Sequence, residues 1–272
     1  SDFKNKNDNF ANVSFVIENG SMVIGKAPVT LKSKDLTKKY DGEALVNGNE
    51  ALETESGFVG EDGATYEFTG SALNAGDDEA NAFTYTLKDG TLADNYDIHT
   101  EEGRLTVTAN DDEIVVTIKE NDGAAGLVYD GTAKTLSGYT VKSIKVGDAD
   151  YTLYTAADID YVGGTDKLTV TGTNAGTYEL NLESSDFKNK NDNFANVSFV
   201  IEDGSMAISK ATFTVDAIEP VTYNGKEQKL PVTAKSETRT LKQGTDYDVT
   251  YSDNRTDAGT VKVTLIGKGN YE

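Results

Sequence analysis

The side chains that most often carry out catalysis are scarce in this sequence of 272 residues. Histidine occurs once, as His99, and cysteine is absent. A Cys/His pair is therefore impossible, and a Ser-His-Asp set could use only His99. His99 lies in an alternating run after Asn95-Tyr96, where we expect an ordinary exposed strand residue. Zinc sites need Cys or several His, and no phosphate-binding Gly-x-x-x-x-Gly-Lys-Ser/Thr occurs. The sequence predicts a protein that is not an enzyme and has no catalytic or cofactor-binding residues.

Calcium is the one metal that the oxygen-rich loops of this chain could hold. The candidate clusters are Asn189–Asn193 with its twin Asn5–Asn9, then Asp77–Glu79 and Asp111–Glu113. None has the spacing of an EF-hand, and solvated loop acids are the simpler interpretation. Structural calcium stays an open hypothesis, with the metal-binding residues unknown.

Lys119 raises a second possibility, an intramolecular isopeptide crosslink to an Asn. That bond needs a Lys and an Asn on facing strands with a buried acid between them. Lys119 lies on an early predicted strand and could be the donor, although no recognisable acid motif accompanies it.

Net charge excludes several classes of partner. Lys and Arg total 25 against 46 Asp and Glu, a formal charge of −21. Nucleic acid and anionic lipid would repel such a chain, because binding either depends on clustered Lys and Arg. The acids are dispersed, which is typical of a solvated surface. No stretch approaches the roughly 20 apolar residues of a membrane helix. The lack of Cys favours a cytosolic protein or a bacterial exported one.

Internal repetition dominates the sequence. Residues 1–27 and 185–211 are nearly identical, and a duplicated active site is far rarer than a duplicated structural unit. Only three paired positions differ: Asn19/Asp203, Val23/Ala207 and Gly25/Ser209.

Three short signatures recur in fixed order beneath this long repeat. The first, the Tyr turn, is Tyr40-Asp41-Gly42, Tyr129-Asp130-Gly131 and Tyr223-Asn224-Gly225. The second, the Ala-Gly motif, is Asn74-Ala75-Gly76, Asn174-Ala175-Gly176 and Asp257-Ala258-Gly259. The third, the Asn-aromatic corner, is Asp8-Asn9-Phe10, Asp94-Asn95-Tyr96, Asp192-Asn193-Phe194 and Gly269-Asn270-Tyr271. We expect the Tyr ring to pack on the core, the Ala-Gly pair to avoid a clash with a loop, and the Asn to hydrogen-bond backbone.

Alternating apolar residues predict strands throughout. Glu113–Lys119 places Ile114, Val116 and Ile118 on one face. Similar runs are Val29–Lys34, Ala82–Lys88, Gly103–Val107, Leu168–Gly172, Thr177–Leu182, Val197–Glu202, Gly204–Ile208 and Val261–Ile266. The predicted fold class is all-β: tandem small antiparallel β-sandwich modules, Ig-like or a related two-layer β fold, in an elongated array.

The repeats also predict module boundaries. Residues 1–27 form the C-terminal part of a preceding module, and 28–110 and 111–211 are two complete β modules. Residues 212–272 form the N-terminal part of a truncated third module, so the chain is a fragment. The second module carries an insertion-like segment around Asp148–Gly164.

The ordered signatures resemble the MBG and YDG family of bacterial surface modules. The last unit is most similar, through Leu241–Asn254, Asp257–Thr260 and Gly267–Tyr271. The resemblance implies non-catalytic repeats in adhesin-like proteins of Gram-positive bacteria, at the cell surface or secreted. The partners it implies are the neighbouring repeats and, through the parent protein, host glycan or glycoprotein.

Two functions remain open from the sequence. The first is a structural stalk or spacer that holds a distal adhesive tip away from the cell wall. The second is a binding module that recognises host glycan or glycoprotein. The second predicts exposed aromatic residues on one face, and the candidates are Tyr139, Tyr151, Tyr154 and Tyr161.

Overall fold

A computed structural model describes residues 2–48, 51–228, 230–237, 239–252 and 255–272. These residues are nearly all in strands, turns and loops. Helical structure among them is limited to short 3-10 turns at Ala93–Asn95, Ala156–Asp158, Thr165–Leu168 and Ser184–Asp186. Within the same residues, no helix has the length and apolar character to cross a membrane. The chain divides into two compact units. The first consists of the residues up to Lys38 together with Glu43–Val107, and the second consists of Lys39–Gly42 together with Thr108–Glu272.

The first unit contains ten short strands. They are β1 (Ala27–Lys32), β2 (Leu36–Lys39), β3 (Leu45–Val46), β4 (Thr54–Ser56), β5 (Ala64–Phe68), β6 (Ser71–Ala72), β7 (Asp78–Ala80), β8 (Phe83–Leu87), β9 (Tyr96–Glu101) and β10 (Arg104–Thr108). The described residues 2–26, which precede β1, contain no strand.

Strand β1 is central to the first unit. It pairs antiparallel with β4 and parallel with β9, and β10 lies between β2 and β7. Strands β3 and β6 form one further pair, and β5 and β8 another. Val29 and Leu31 alternate toward the core and are fully buried, and Leu52 and Tyr96 are buried in the same cluster. The alternation in Val29–Lys34 therefore does mark a strand with one buried face.

The second unit continues the same pattern of short strands. They are β11 (Ile114–Glu120), β12 (Leu127–Val128), β13 (Lys134–Ser137), β14 (Tyr139–Val146), β15 (Ala149–Asp150), β16 (Ile159–Tyr161), β17 (Thr169–Gly172), β18 (Gly176–Tyr178), β19 (Phe187–Asn189), β20 (Val197–Glu202), β21 (Met206–Ser209), β22 (Thr214–Val215), β23 (Ala234–Lys235), β24 (Tyr247–Tyr251) and β25 (Val263–Gly267).

Strand β11 organises the core of this unit. It pairs antiparallel with β14 and parallel with β20, in a sheet whose order is β15-β14-β11-β20. Ile114, Val116 and Ile118 are fully buried on one face, as the alternation predicts. Glu120 ends that face; its buried carboxylate accepts hydrogen bonds from the amides of Leu182 (2.7 Å) and Gly204 (3.1 Å). Two backbone donors therefore satisfy this buried acid.

Smaller pairings complete the second unit. Strand β21 lies between β12 and β18, β13 pairs with β17, and β16 pairs with β19. Beyond residue 211, β22 pairs with β23 and β24 with β25. This last part has its own buried cluster, formed by Ala211, Ala234, Leu241, Tyr247 and Tyr271.

The prediction of antiparallel sheets is wrong for part of the pairing. Three of the strand pairs whose register is described run parallel: β1 with β9, β11 with β20, and β12 with β21. Apolar alternation reports which face of a strand is buried, and it carries no information about the direction of the neighbouring strand. The all-β class itself holds for the described residues.

One predicted strand is shorter than expected. Of Thr177–Leu182, only the first two residues are in a strand, because β18 ends at Tyr178. Leu180 and Leu182 are still buried, but Asn181 between them has a φ of 60°, which an extended strand does not allow. The segment Asp148–Gly164 is part of the module, since it supplies β15, β16 and the buried Tyr154.

Candidate functional site: an aromatic joint

The Tyr turn at Tyr129 is rigidly held by its own side chains. Strand β12 ends at Val128, and the Tyr129 amide donates to the Ser209 carbonyl at 2.9 Å. One Asp130 carboxylate oxygen accepts from the amide (2.8 Å) and hydroxyl (2.6 Å) of Thr132. The other accepts from the Lys134 ammonium at 2.7 Å. The Lys134 bond, followed by the Thr132 bonds, lowers the pKa of Asp130 well below its ordinary value. Gly131 supplies the positive φ of 80°.

This turn presents the ring of Tyr129 to the last Asn-aromatic corner of the chain. The rings of Tyr129 and Tyr271 are 5.4 Å apart, at 85° to each other. Tyr271 is buried, and the Arg239 guanidinium lies 5.5 Å from its ring centroid. Edge-to-face aromatic pairs contribute about 1 kcal/mol beyond the area that they bury. The contact therefore fastens residues 127–131 to the cluster around Tyr247.

The Asn of the same corner is held by the Ala-Gly motif. The Asn270 side-chain oxygen accepts from the Ala175 amide at 2.7 Å, and its side-chain nitrogen lies 3.0 Å from the Asn174 side-chain oxygen. Backbone bonds join Asn270 and Glu272 to Ala211 at 2.8 and 3.0 Å. All three repeated signatures thus meet at one place. We call this set, Tyr129, Asn174, Ala175, Ala211 and Asn270–Tyr271, the aromatic joint.

The second unit contains a matching contact at Tyr40. The rings of Tyr40 and Phe194 are 5.5 Å apart, at 86°. Asn110 has the place of Ala211: its amide donates to the Asn193 carbonyl, and its carbonyl accepts from Ala195, both at 2.8 Å. The Asn110 side chain also donates to the Tyr40 carbonyl at 3.1 Å. The same aromatic geometry is therefore built from the same two signatures a second time.

The sequence identified these signatures and predicted part of what they do. The rings of Tyr40 and Tyr129 pack on the core, as predicted, and each also contacts an Asn-aromatic corner distant in the chain. Tyr223 is 61 % exposed, so the expected core packing is wrong there. The Ala-Gly motif avoids no clash at Gly176, because a Cβ built there has no atom within 4 Å. The prediction that the Asn bonds backbone is confirmed at Asn270. Their recurrence in constant order was the signal that the signatures bind each other.

His99 lies on β9, on the exposed side of the sheet. Its Nε2 atom is 3.4 Å from the Asp97 carboxylate, and both side chains are about two-thirds exposed. The pair is a solvated surface contact, as expected for an ordinary strand residue.

Acids of two of the clusters proposed for calcium, Asp77–Glu79 and Asp111–Glu113, form contacts within the protein. Asp77 accepts from the amides of Asn74 (2.7 Å) and Leu73 (2.9 Å), and these bonds lower its pKa. Asp78 pairs with Arg104, and Asp111 and Asp112 pair with Lys39. Among the described residues, no group of three or more His, Cys, Asp or Glu could hold a metal ion.

Lys119 is also committed to other contacts. Its ammonium donates to the Asp203 carbonyl at 2.7 Å and lies 3.5 Å from the Asp122 carboxylate. Alternation along β11 places the buried Glu120 on the other face of the strand. The lysine and the buried acid required for a crosslink therefore face opposite ways.

The four tyrosines expected on an exposed face belong to the core instead. Tyr154 is buried, with its ring 5.1 Å from Phe194, and Tyr139, Tyr151 and Tyr161 are half-buried. Tyr139 and Tyr161 pack on Phe187 at 4.9 and 5.3 Å. Burial, with a smaller contribution from Asp158, raises the pKa of Tyr154 to about 12. The predicted aromatic surface is wrong at these residues.

Comparison with known proteins gives a match for one segment of the chain, which contains Tyr129, Asn174, Ala175 and Ala211 of the aromatic joint. No curated protein matches the chain. A family model does match, over residues 115–217, a span that begins within β11 and continues past Ala211. MBG domains are typical of surface proteins and form a non-catalytic repeat family. Residues 115–217 are the part matched by the model of the MBG domain, which confirms for this segment the resemblance seen in its motifs.

Proposed function

We propose that this chain is a series of non-catalytic spacer modules in a bacterial adhesin-like protein, exported to the cell surface or secreted. The modules would be residues 28–110 and 111–211, flanked by parts of two others at 1–27 and 212–272, in an elongated array. Their main partners would be neighbouring repeats of the same chain. The protein would bind neither nucleic acid nor membrane, since its net charge is −21.

The repeated aromatic contact is the observation that carries this proposal. Tyr129 on Tyr271 and Tyr40 on Phe194 share ring distances of 5.4 and 5.5 Å and near-perpendicular planes. In both, a residue two positions after the end of a strand, Ala211 or Asn110, is hydrogen-bonded to the backbone of the corner. A ligand site needs to exist only once, whereas a connector is expected at every repeat.

Solution scattering tests the spacer role on the whole chain. A compact protein of this length has a radius of gyration of about 19 Å. We expect a value well above that, because modules joined end to end do not share one core. A radius near the compact value, with a single symmetric distance distribution, would contradict the proposal.

Hydrogen exchange tests the joint itself. Tyr129→Ala removes the ring that packs on Tyr271, so the amides of Ala175 and Ala211, which donate to Asn270, should exchange at least tenfold faster. The matched control is Tyr85→Ala, which removes an exposed tyrosine on β8. Unchanged exchange in the Tyr129 variant would show that the joint does not depend on the ring.

The binding-module alternative has a direct test. A glycan and mucin array probed with the chain would show a specific ligand if the second hypothesis holds. We expect no specific binding, because the tyrosines proposed for that surface pack against the core of residues 111–211.

A further inference from the structure

Residues 186–210 complete the core around β11, and their buried side chains determine what could take their place. Strand β19 pairs with β16, β20 with β11, and β21 with β12 and β18. The buried residues of this segment are Asp186, Phe187, Phe194, Gly204, Met206 and Ile208. Because protein cores are close-packed, another segment fits this site only if it supplies the same side chains at these positions.

Residues 2–26 supply every one of these side chains. The matching positions are Asp2, Phe3, Phe10, Gly20, Met22 and Ile24. The half-buried residues of β20 are unchanged as well. The three differences between the two segments, at Asp203, Ala207 and Ser209, all fall on exposed residues. No difference in sequence therefore prevents residues 2–26 from filling the site of residues 186–210.

The loop of residues 5–9 already has the conformation that the site requires. Two bonds from backbone amides to Asn side chains close this loop, at 2.9 and 3.0 Å. The same two bonds, at the same lengths, close residues 189–193. Phe10 follows the first loop as Phe194 follows the second, and the Phe194 ring packs among Tyr40, Tyr151 and Tyr154. A loop that is formed before binding lowers the entropic cost of binding.

We propose that residues 2–26 of one copy of this chain bind in the site of residues 186–210 of a second copy, so that copies associate by exchange of this segment. Strand β20 fixes the expected register. Residues 13–18 lie parallel to β11, with Val16 beside Thr117, where Val200 lies in the single chain. Phe10 takes the place of Phe194 among the tyrosines. The inference goes beyond the spacer role and does not depend on it.

The two segments compete for the site on nearly equal terms, because they bury the same side chains. Residues 186–210 are favoured by their covalent connection to the site, which acts as an effective concentration in roughly the millimolar range. Exchange in the folded protein also requires β20 to separate from β11 in the core, so it is slow. We therefore expect exchange mainly when copies fold together at about 0.5 mM, a concentration near that range.

Engineered cysteines can report the exchange, since the chain has no cysteine of its own. One copy carries Thr117→Cys and the other Val16→Cys, and the two are refolded together at about 0.5 mM and oxidised with glutathione. Neighbouring strands lie about 4.8 Å apart, which is within the Cα separation that disulfides allow. We expect a covalent dimer in which peptide mapping identifies a disulfide between positions 117 and 16.

The positive control places both cysteines in one chain. Thr117 and Val200 are partners across β11 and β20, so Thr117→Cys with Val200→Cys should form an internal disulfide. Its formation shows that the geometry of this strand pair accepts the bond.

Matched variants test the register and the fit. Ile17 corresponds to Ile201, the partner of Ile118, which points to the other face of β20. Ile17→Cys in place of Val16→Cys should therefore lower the yield of the disulfide to position 117 by about tenfold. Phe10→Ala, added to the Val16 variant, should lower the yield by a similar factor of about ten, because it leaves an empty site between the tyrosines. Tyr85→Ala, which removes an exposed ring on β8, should leave the yield unchanged.

Several outcomes would overturn the inference. Equal yields from Val16→Cys and Ile17→Cys would show that an exposed segment had been oxidised at random. A yield that Phe10→Ala does not lower, or no disulfide between positions 117 and 16 when the positive control forms, would also contradict exchange. An extended monomer in scattering without this disulfide would refute exchange and leave the spacer role standing. The disulfide in a protein of compact radius would support exchange and contradict the spacer role.

Discussion

Two segments with almost the same sequence have opposite environments in this protein. Residues 186–210 supply β19, β20 and β21 to the second unit, whereas their twins at 2–26 contain no strand. Phe187, Phe194, Met206 and Ile208 are at most 3 % exposed. Their counterparts Phe3, Phe10, Met22 and Ile24 are 57, 62, 84 and 85 % exposed. Strand formation in this sequence is therefore decided by partners such as β11, and local propensity alone does not produce it.

One feature is nevertheless identical in both segments. The Asn189 side chain donates to the carbonyls of Asn191 (3.0 Å) and Phe194 (2.8 Å). The Asn5 side chain donates to those of Asn7 (3.1 Å) and Phe10 (2.8 Å). The loop is local in the chain and forms in both settings, whereas the strands need distant partners.

The largest expected effect comes from the paired phenylalanines. Phe194→Ala should destabilise the second unit by about 3–5 kcal/mol, because it empties a site between Tyr40, Tyr151 and Tyr154. Phe10→Ala should leave the unfolding midpoint unchanged. Denaturant unfolding of both variants measures the free energy of unfolding. Similar losses of stability in the two variants would contradict the difference between the two segments.

The second-largest expected effect comes from Gly204 and its counterpart Gly20. A Cβ at Gly204 would lie 2.2 Å from the Asn121 carbonyl oxygen, whereas a Cβ at Gly20 has no atom within 4 Å. Gly204→Ala should cost about 2 kcal/mol through displaced backbone, including the Gly204 bond to Glu120. Gly20→Ala should leave the free energy of unfolding unchanged in the same denaturant unfolding experiment. Equal behaviour of the two variants would mean that residues 18–25 also pack in solution.

Asn189 and its counterpart Asn5 test the loop that forms in both segments. Asn189→Ala should cost about 1 kcal/mol, since it removes bonds that support the corner next to Phe194. Asn5→Ala should leave global stability unchanged, yet speed exchange of the Asn7 amide, which donates to Asn5 at 2.9 Å. Protected exchange at Asn7 in the Asn5 variant would contradict a loop built by that side chain.

The smallest expected effect is a shift in the pH at which acid unfolds the protein. Burial raises the pKa of Asp186, but the Lys167 ammonium at 2.9 Å and the Glu183 amide outweigh it and lower the pKa overall. The carboxylate therefore stabilises the fold above its unfolded pKa of about 3.9, and this contribution is lost as the pH falls through the lower folded value. Lys167→Met should shift acid unfolding to higher pH, by up to about one unit. Asp2→Asn, the twin position, should leave the acid curve unchanged.

Sequence alone predicted the elements better than their arrangement. Val197–Glu202 was predicted residue for residue, because its alternation is complete and it lies between a loop and a Gly. Its parallel pairing with β11 was missed, since strand direction depends on a partner more than seventy residues away. The signatures were found, but Tyr129 and Tyr271 could be linked only once their chain segments had been placed in space. The buried Glu120 left no pattern in the sequence at all.

The parallel arrangement of β11 and β20 has a mechanical consequence. Tension along the chain acts on the amino end of β11. It acts on the carboxyl end of β20, because β21 follows β20 in the chain. The two strands are then pulled in opposite directions along their length, so the bonds between Ile114–Lys119 and Val197–Glu202 share the load. An antiparallel hairpin pulled from its open ends would lose its bonds one after another. A unit held by these bonds would resist force in shear.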